Sequence, residues 1–376
     1  MKSLEVKIPS VAAGSYKITI GVNILATILS EAQKLLPAHR PFVITDANLV
    51  AAGHLERLIQ NQKLAPASER GSKIQNYIIS PAGEASKNMA TLTAIVETME
   101  KAMLGRDTVV IALGGGTVGD IAGFAAAIFK RGVPVVQIPT TTVAQADSAV
   151  GGKTGVDSSV SKNAFGAFWP PAAVFIDVAT LKTLDDRQFR AGLVESVKHA
   201  LIADAEYFEY LEKNLDAILA RDADVLEAIA YRNCRIKASI VEADPFEKNQ
   251  RRVLNYGHTI GHAVESASSY QLLHGEAVAI GIVGAGLIEE RLGLAKPPRI
   301  ARIKAVLEKL NVPTKIPAYM KKSELVELLR YDKKSVAKWP RFVLLDKIGV
   351  VHTKDSQYAL EIEPDIISTV LDAILS

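Results

Sequence analysis

His258 and His262 stand four residues apart, so on a helix both face the same way. Thr259-Ile260-Gly261 lies between them, with no glutamate after the first histidine, which excludes a zinc-protease helix. His274 follows in Leu273-His274-Gly275-Glu276, and upstream Glu195 and Lys198 share one face of an amphipathic run with His199 beside them. Two histidines and one carboxylate are a common ligand set for a catalytic zinc with an open position. Any one of these histidines alone would read as a core or helix-cap residue; it is their clustering that points to a metal. Spacing leaves open which of them bind.

Two further groups suit anions. Residues 113–120 read Leu-Gly-Gly-Gly-Thr-Val-Gly-Asp, with G-x-G-x-x-G after a β-type run and at the start of a helical one. Glycines let the backbone approach a phosphate, and a helix N-terminus favours negative charge. The acidic residue usual about 20 positions downstream is missing. Asp46, with Asn48 close by, ends an earlier strand and is an alternative reader of a ribose. The competing reading is a tight turn with no ligand. The second group is Lys153 after Gly151-Gly152, then Lys162-Asn163, Lys198, Lys237, Arg251 and Asn255. If these converge, they suit a small substrate with two anionic ends; if not, they are scattered surface charges.

The elements that must position these groups differ between the two halves. β-rich runs at 42–46, 76–80, 108–113, 135–139 and 173–177 alternate with helix-compatible stretches such as 86–102 and 118–130. Such alternation predicts an α/β domain with a Rossmann-like, mostly parallel sheet. From about Leu181 helical patterns take over, at 185–201, 206–219, 224–242, 258–268 and 276–291, with one late strand at 341–346. The expected division is a dinucleotide-binding α/β domain, residues 1–180, and a mainly α-helical metal- and substrate-binding domain, residues 181–376. The site then lies in the cleft between them.

Composition narrows the classes. The 376 residues are 48% hydrophobic and 23% charged, which excludes disorder, collagen-like repeats and a coiled-coil rod. Lys plus Arg (44) against Asp plus Glu (41) leaves +3, too even for a nucleic-acid binder or a polybasic membrane anchor. Cys234 is the one cysteine, so no internal disulfide forms and a reducing compartment is expected. Residues 1–20 carry Lys2, Glu5, Lys7 and Lys17 and do not read as a signal peptide. The longest apolar run, 277–288, has 12 residues and falls short of the ~20 that span a bilayer, so a cytoplasmic protein is expected.

Taken together, several motifs in one order resemble the 3-dehydroquinate synthase family, from about Asp46 to Gly349. They are Gly83-Glu84-x-x-Lys87, the 114–120 turn, Pro139-Thr140-Thr141, the 147–154 run and Lys162-Asn163. Ala191-Gly192-Leu193-Val194-Glu195-x-x-Lys198, Asn255-x-Gly257-His258-Thr259-x-Gly261-His262 and His274-Gly275-Glu276 complete the series.

The resemblance implies a zinc or cobalt ion on Glu195, His258 and His274. It implies NAD contacts at Asp46, Asn48, Ala82, Gly83, Glu84, Ala85, Ser86, Lys87, Gly116, Thr117, Val118, Gly119, Asp120, Thr140, Thr141, Thr180, Leu181, Lys182 and Thr183, with Lys153 and Lys162 shared between cofactor and substrate. The implied substrate and catalytic set is Asp147, Lys153, Asn163, Lys198, Lys237, Glu247, Arg251, Asn255 and His262, with one lysine of Asp332-Lys333-Lys334, Lys334 ahead of Lys333, on a phosphate. Arg131 matches an arginine that reaches the partner subunit's site, implying a homodimer.

The implied reaction turns 3-deoxy-D-arabino-heptulosonate 7-phosphate into 3-dehydroquinate and phosphate. It proceeds by transient oxidation at C5, elimination, re-reduction, ring opening and aldol closure, within the shikimate pathway. Departures from the family pattern fall at Thr142, Val143, Ala149, Asp157 and Pro245. The rival readings are a sugar-phosphate cyclase acting on a heptulose phosphate without the carboxylate, a metal-dependent alcohol dehydrogenase, and a non-catalytic binding module.

Overall fold

Short apolar runs bounded by turn residues form the strands of the first half. They are β1 (Lys17–Gly21), β2 (Arg40–Asp46), β3 (Gln75–Ile79), β4 (Thr108–Gly114), β5 (Val135–Pro139), β6 (Lys153–Val156), β7 (Phe165–Phe168) and β8 (Ala173–Asp177). The computed structural model describes residues 15–60, 74–269, 271–330 and 340–375. Six strands make one parallel sheet in the order β1-β8-β5-β4-β2-β3, and β6 pairs antiparallel with β7. The central strand β4 is buried throughout, as a continuous apolar run must be when both faces are covered. The five expected runs all become strands of this sheet. β1 is an addition: it is short, carries Lys17 and lies at the edge, in register with β8.

Helices α1 (Ile28–Leu35), α2 (Ala47–Ala51), α3 (His54–Ile59), α4 (Met89–Lys101) and α5 (Gly116–Ile128) flank the sheet. The second half is α6 (Asp186–Ala203), α7 (Ala205–Lys213), α8 (Leu215–Leu219), α9 (Ala223–Ala243), α10 (His258–Ala267), α11 (His274–Arg291), α12 (Pro297–Lys309), α13 (Lys322–Arg330) and α14 (Pro364–Ile374). Side-chain caps fix several starts: Asn88, Asp185 and Asp222 accept from Thr91 N, Gln188 N and Val225 N. No helix among the described residues is long and apolar enough to cross a membrane.

Two expectations need correction. Residues 206–219 are two helices, because the Asn214 backbone leaves helical geometry and its Nδ2 donates to Tyr210 O at 2.8 Å. The late strand is two: β9 (Arg341–Phe342) pairs with β12 (Leu360–Glu361), and β10 (Leu345–Lys347) pairs with β11 (Val350–Val351). At the start of β10, Leu345 N donates to the buried Glu289 Oε1 at 2.8 Å.

The largest apolar cluster joins Val174 and Ile176 of β8 to the helices of the second half, so the core continues across residue 180. Helix α11 presses closely on its neighbours. A Cβ on Gly275 would lie 1.8 Å from Ala191 O of α6, and one on Gly281 would lie 1.8 Å from Gly257 O at the start of α10. Glycine at these positions lets the N-terminus of α11 reach α6 and the N-terminus of α10 reach the middle of α11.

Candidate active site

Helices α6, α10 and α11 deliver Glu195, His258 and His274 to one point. Nε2 of His258 lies 3.7 Å, and Nε2 of His274 3.5 Å, from Glu195 Oε1. That oxygen is buried without a hydrogen-bond donor, while Oε2 accepts from Lys198. The other ring nitrogens are anchored: His258 Nδ1 is 3.1 Å from Tyr256 O, and His274 Nδ1 is 3.2 Å from Glu265 Oε2. Acceptors on Nδ1 place a proton there and leave Nε2 for a cation. An orphaned carboxylate oxygen faced by two imidazole nitrogens fits a divalent ion of the zinc type.

The electrostatics agree. Burial raises the Glu195 carboxyl, but Lys198, His274 and His258 outweigh it and hold the group well below the carboxylate range. Burial, followed by Lys198, pushes His258 down, so its imidazole is neutral, as a ligand must be. Burial also opposes charge on His274, yet the nearby carboxylates of Glu195 and Glu265 lift it to about 9. A bound cation would take the place of that proton. His262 is exposed at the rim, its ring 5.3 Å from that of His258 and 5.9 Å from that of His274.

Asp147 projects from a single turn of π-helix, Ala144–Ser148, a local distortion frequent at functional sites. Lys237 Nζ lies 2.6 Å from Asp147 Oδ1, and the fully buried His199 places Nε2 3.7 Å from the same oxygen. Burial raises Asp147, but Lys237 and Lys198 hold it well below its ordinary value.

The expected cationic group proves to alternate in sign. Lys87 pairs with Asp120 at 2.6 Å and Lys162 with Glu265 at 2.9 Å; Lys153 pairs with Glu247, and Lys198 with Glu195. Lys87 and Lys198 are buried and require such partners, whereas Lys153 and Lys162 are exposed. Arg251 is buried too: Nη1 donates to Pro245 O at 2.7 Å and Nη2 to Gly151 O at 3.2 Å, leaving Nε without a partner. Asn255 is half-buried and ends a 3-10 turn, Gln250–Asn255.

The expected dinucleotide residues share a structural position. Asp46 ends β2 and caps α2, whose first turn holds Asn48. Ala82, Gly83, Glu84, Ala85, Ser86 and Lys87 follow β3; Gly116, Thr117, Val118, Gly119 and Asp120 open α5 after β4. Thr140 and Thr141 follow β5, and Thr180, Leu181, Lys182 and Thr183 follow β8. All lie at carboxyl ends of parallel strands, around the β2/β4 point where the strand order reverses, the usual nucleotide position in open α/β sheets. The glycines of the turn have a packing role as well. A Cβ on Gly114 would lie 2.4 Å from Val118 Cβ, and one on Gly119 would lie 2.8 Å from Gln137 Oε1. Lys87 also donates to Asn163 Oδ1 at 2.7 Å, and Asn163 N donates to Asp157 Oδ1 at 2.6 Å, which gives one departure a defined contact.

Arg131 is exposed beyond the C-terminus of α5. The 13 residues of that helix separate it from the glycine-rich turn by about 20 Å. Lys334 lies outside the described residues. Sequence reasoning missed Glu265, although it stands seven residues after His258 and so on the same helical face. It also missed His54, whose Nε2 is 2.6 Å from Thr183 Oγ1, and Tyr16, whose hydroxyl accepts from Gly151 N at 3.0 Å. No periodicity announces these last two.

The fold is that of sugar-phosphate cyclases. A solved structure of 2-epi-5-epi-valiolone synthase from Streptomyces hygroscopicus subsp. jinggangensis, with NAD+ and Zn2+ bound, is 27% identical. It aligns over 98% of this chain and 99% of its own with a TM-score of 0.85. A 2-deoxy-scyllo-inosose synthase complexed with carbaglucose-6-phosphate, NAD+ and Co2+ is 26% identical over 95% and 96% of the two chains, TM-score 0.83. Sequence is more specific. The family model for 3-dehydroquinate synthase N-terminal matches residues 77–191, and that for 3-dehydroquinate synthase C-terminal matches 192–335. The 3-dehydroquinate synthase of Symbiobacterium thermophilum is 41% identical over 363 residues, 96% of this chain and 98% of the relative. The chain belongs to the 3-dehydroquinate synthase family.

Proposed function

We propose that the chain converts 3-deoxy-D-arabino-heptulosonate 7-phosphate into 3-dehydroquinate and phosphate, in the cytoplasm, as a step of the shikimate pathway. NAD serves as a regenerated oxidant, and one zinc or cobalt ion sits on Glu195, His258 and His274. The observation that carries this is the convergence of two anchored histidine Nε2 atoms on an orphaned Glu195 oxygen. When bound, NAD supplies a hydride acceptor and the ion a Lewis acid that acidifies a substrate hydroxyl.

The chain's own residues bind and orient. Residues 1–180 present the carboxyl ends of the parallel strands to the dinucleotide, and residues 181–376 supply the metal ligands. Lys198 stays charged beside the ligands: burial opposes its charge, but Glu195 and Asp147 overcome that and raise its pKa. Lys153, Lys162, Lys237, Arg251 and Asn255 take the substrate's anionic ends, exchanging present partners for carboxylate and phosphate, with His262 at the rim. Holding both ends fixes the reacting carbons, a proximity effect. Two chains form a homodimer in which Arg131 completes the partner's site.

The test is phosphate release from the heptulosonate phosphate with and without a chelator. Metal-dependent release with no net accumulation of reduced dinucleotide is expected. Net reduction with a simple alcohol would establish a dehydrogenase instead. Turnover of sedoheptulose 7-phosphate but not the acid would establish a different cyclase.

A further inference from the structure

We propose that Glu265 is a positioning residue whose two carboxylate oxygens hold a metal ligand and an anion-facing lysine in one arrangement. The inference rests on the metal site proposed above. Glu265 is only 7% exposed. Its Oε2 is 3.2 Å from Nδ1 of His274, and its Oε1 accepts from Lys162 Nζ at 2.9 Å. The lysine continues toward the sheet: Glu84 Oε1 is 3.5 Å from the same Nζ, and Glu84 Oε2 accepts from Thr117 Oγ1 at 2.9 Å. An unbroken polar chain therefore runs from the glycine-rich turn that opens α5 to the histidine that opens α11.

The chemistry of the two oxygens differs. On the Oε2 side the carboxylate fixes the Nδ1 proton of His274, turns Nε2 toward Glu195 and makes the imidazole a stronger donor than the Tyr256 carbonyl can make His258. On the Oε1 side Lys162 draws part of that negative charge to itself. When Lys162 moves to an incoming anion, the full carboxylate charge falls on His274. Glu265 thus ties the strength of one metal bond to the engagement of Lys162.

The experiment measures zinc affinity by chelator competition and the absorption spectrum of the cobalt-loaded protein, on the full chain without substrate. Glu265→Gln keeps size and hydrogen-bonding shape but removes the charge. It is expected to weaken zinc by about 10–100-fold and to shift the cobalt bands. Lys162→Met is expected to change zinc affinity in the wild-type background but not beside Glu265→Gln, because both act through one carboxylate. Zinc affinity within about twofold of wild type and an unaltered cobalt spectrum in Glu265→Gln would overturn the proposal, as would additive effects of the pair. His274→Ala separates this from the underlying reading. If it also keeps zinc, the ligand set itself is wrong; if it alone loses zinc, only the role of Glu265 is wrong. Should Glu265→Gln not fold, Glu265→Asp gives the answer, with a smaller loss of zinc expected and no loss overturning the role.

Discussion

Glu195, His258 and His274 depend on one another through charge. Replacing His274 with alanine removes one proposed ligand and leaves the apolar core untouched. Most bound metal and activity should vanish while the circular dichroism spectrum stays close to wild type; a fully active, metal-free variant would refute the ligand set. Without metal, the pair His274 and Glu265 also sets a pH dependence. His274 is lifted by Glu195 and Glu265, against burial, from 6.5 to about 9, so its stabilisation is complete below 6.5 and is lost as pH rises through 9. Burial opposes charge on Glu265, but His274 and Lys162 bring it from 4.5 to about 2, so its contribution is complete above 4.5 and is lost as pH falls through 2. The melting temperature of chelator-treated protein should therefore drop between pH 6.5 and 9 more steeply than that of His274→Gln. Parallel curves would show that the proton on His274 does not stabilise the fold. Arg251→Ala should raise KM and lower kcat. The guanidinium links the Gly151 turn to Pro245, beside residues assigned to an anionic end. Unchanged kinetics would place Arg251 outside the site.

At the scale of elements, the proposed metal point depends on three helices approaching more closely than side chains normally allow. Gly275 is the decisive contact, since its Cα faces the Ala191 carbonyl of α6. Alanine there forces backbone apart from backbone, and overpacking of this kind costs about 1–3 kcal/mol or more. Gly275→Ala should lower the denaturation midpoint and weaken zinc binding together, because His274 is the preceding residue. Wild-type stability in a denaturant titration would contradict the close approach. The π-turn at Asp147 and the Gln145 side chain beside it serve the sheet side in a similar way. Gln145 Nε2 donates to Pro139 O at 3.1 Å and to Asp177 O at 3.3 Å, tying the ends of β5 and β8 beneath the site.

For the whole molecule, the continuous core between β8 and the helices implies that the two halves are packed as one body where they meet at residue 180. The proposed homodimer makes a sharper prediction. Arg131→Ala and His274→Ala should each be inactive alone. Mixed after subunit exchange, they should recover up to about a quarter of wild-type activity, since half the dimers are hybrid and each hybrid has one intact site. No recovery in a mixture shown to contain hybrids would mean that Arg131 serves its own chain or none.

Much was legible in the residues themselves. The five β-rich runs became strands because continuous apolar stretches between turns have few alternatives to a doubly covered sheet. Histidine spacing put His258 and His262 on one helical face, and local order of motifs marked the family. What the chain could not announce was anything set by approach between distant segments. The strand at 341–346 divided where Leu345 N donates to Glu289, far back in the chain, whereas the break at Asn214 is local, its amide bonding Tyr210 O four residues back. The lysines looked like an uncompensated positive cluster. The fold brought Lys87, Lys162 and Lys237 carboxylates from far along the chain, while Lys198 takes Glu195 one helical turn away; for the buried Lys87, Lys198 and Lys237, desolvation makes a lone ammonium untenable. Residue types and periodicity determined which groups were available and which faces they shared; tertiary packing decided which of them meet, since distances across helices depend on contacts that no local stretch contains.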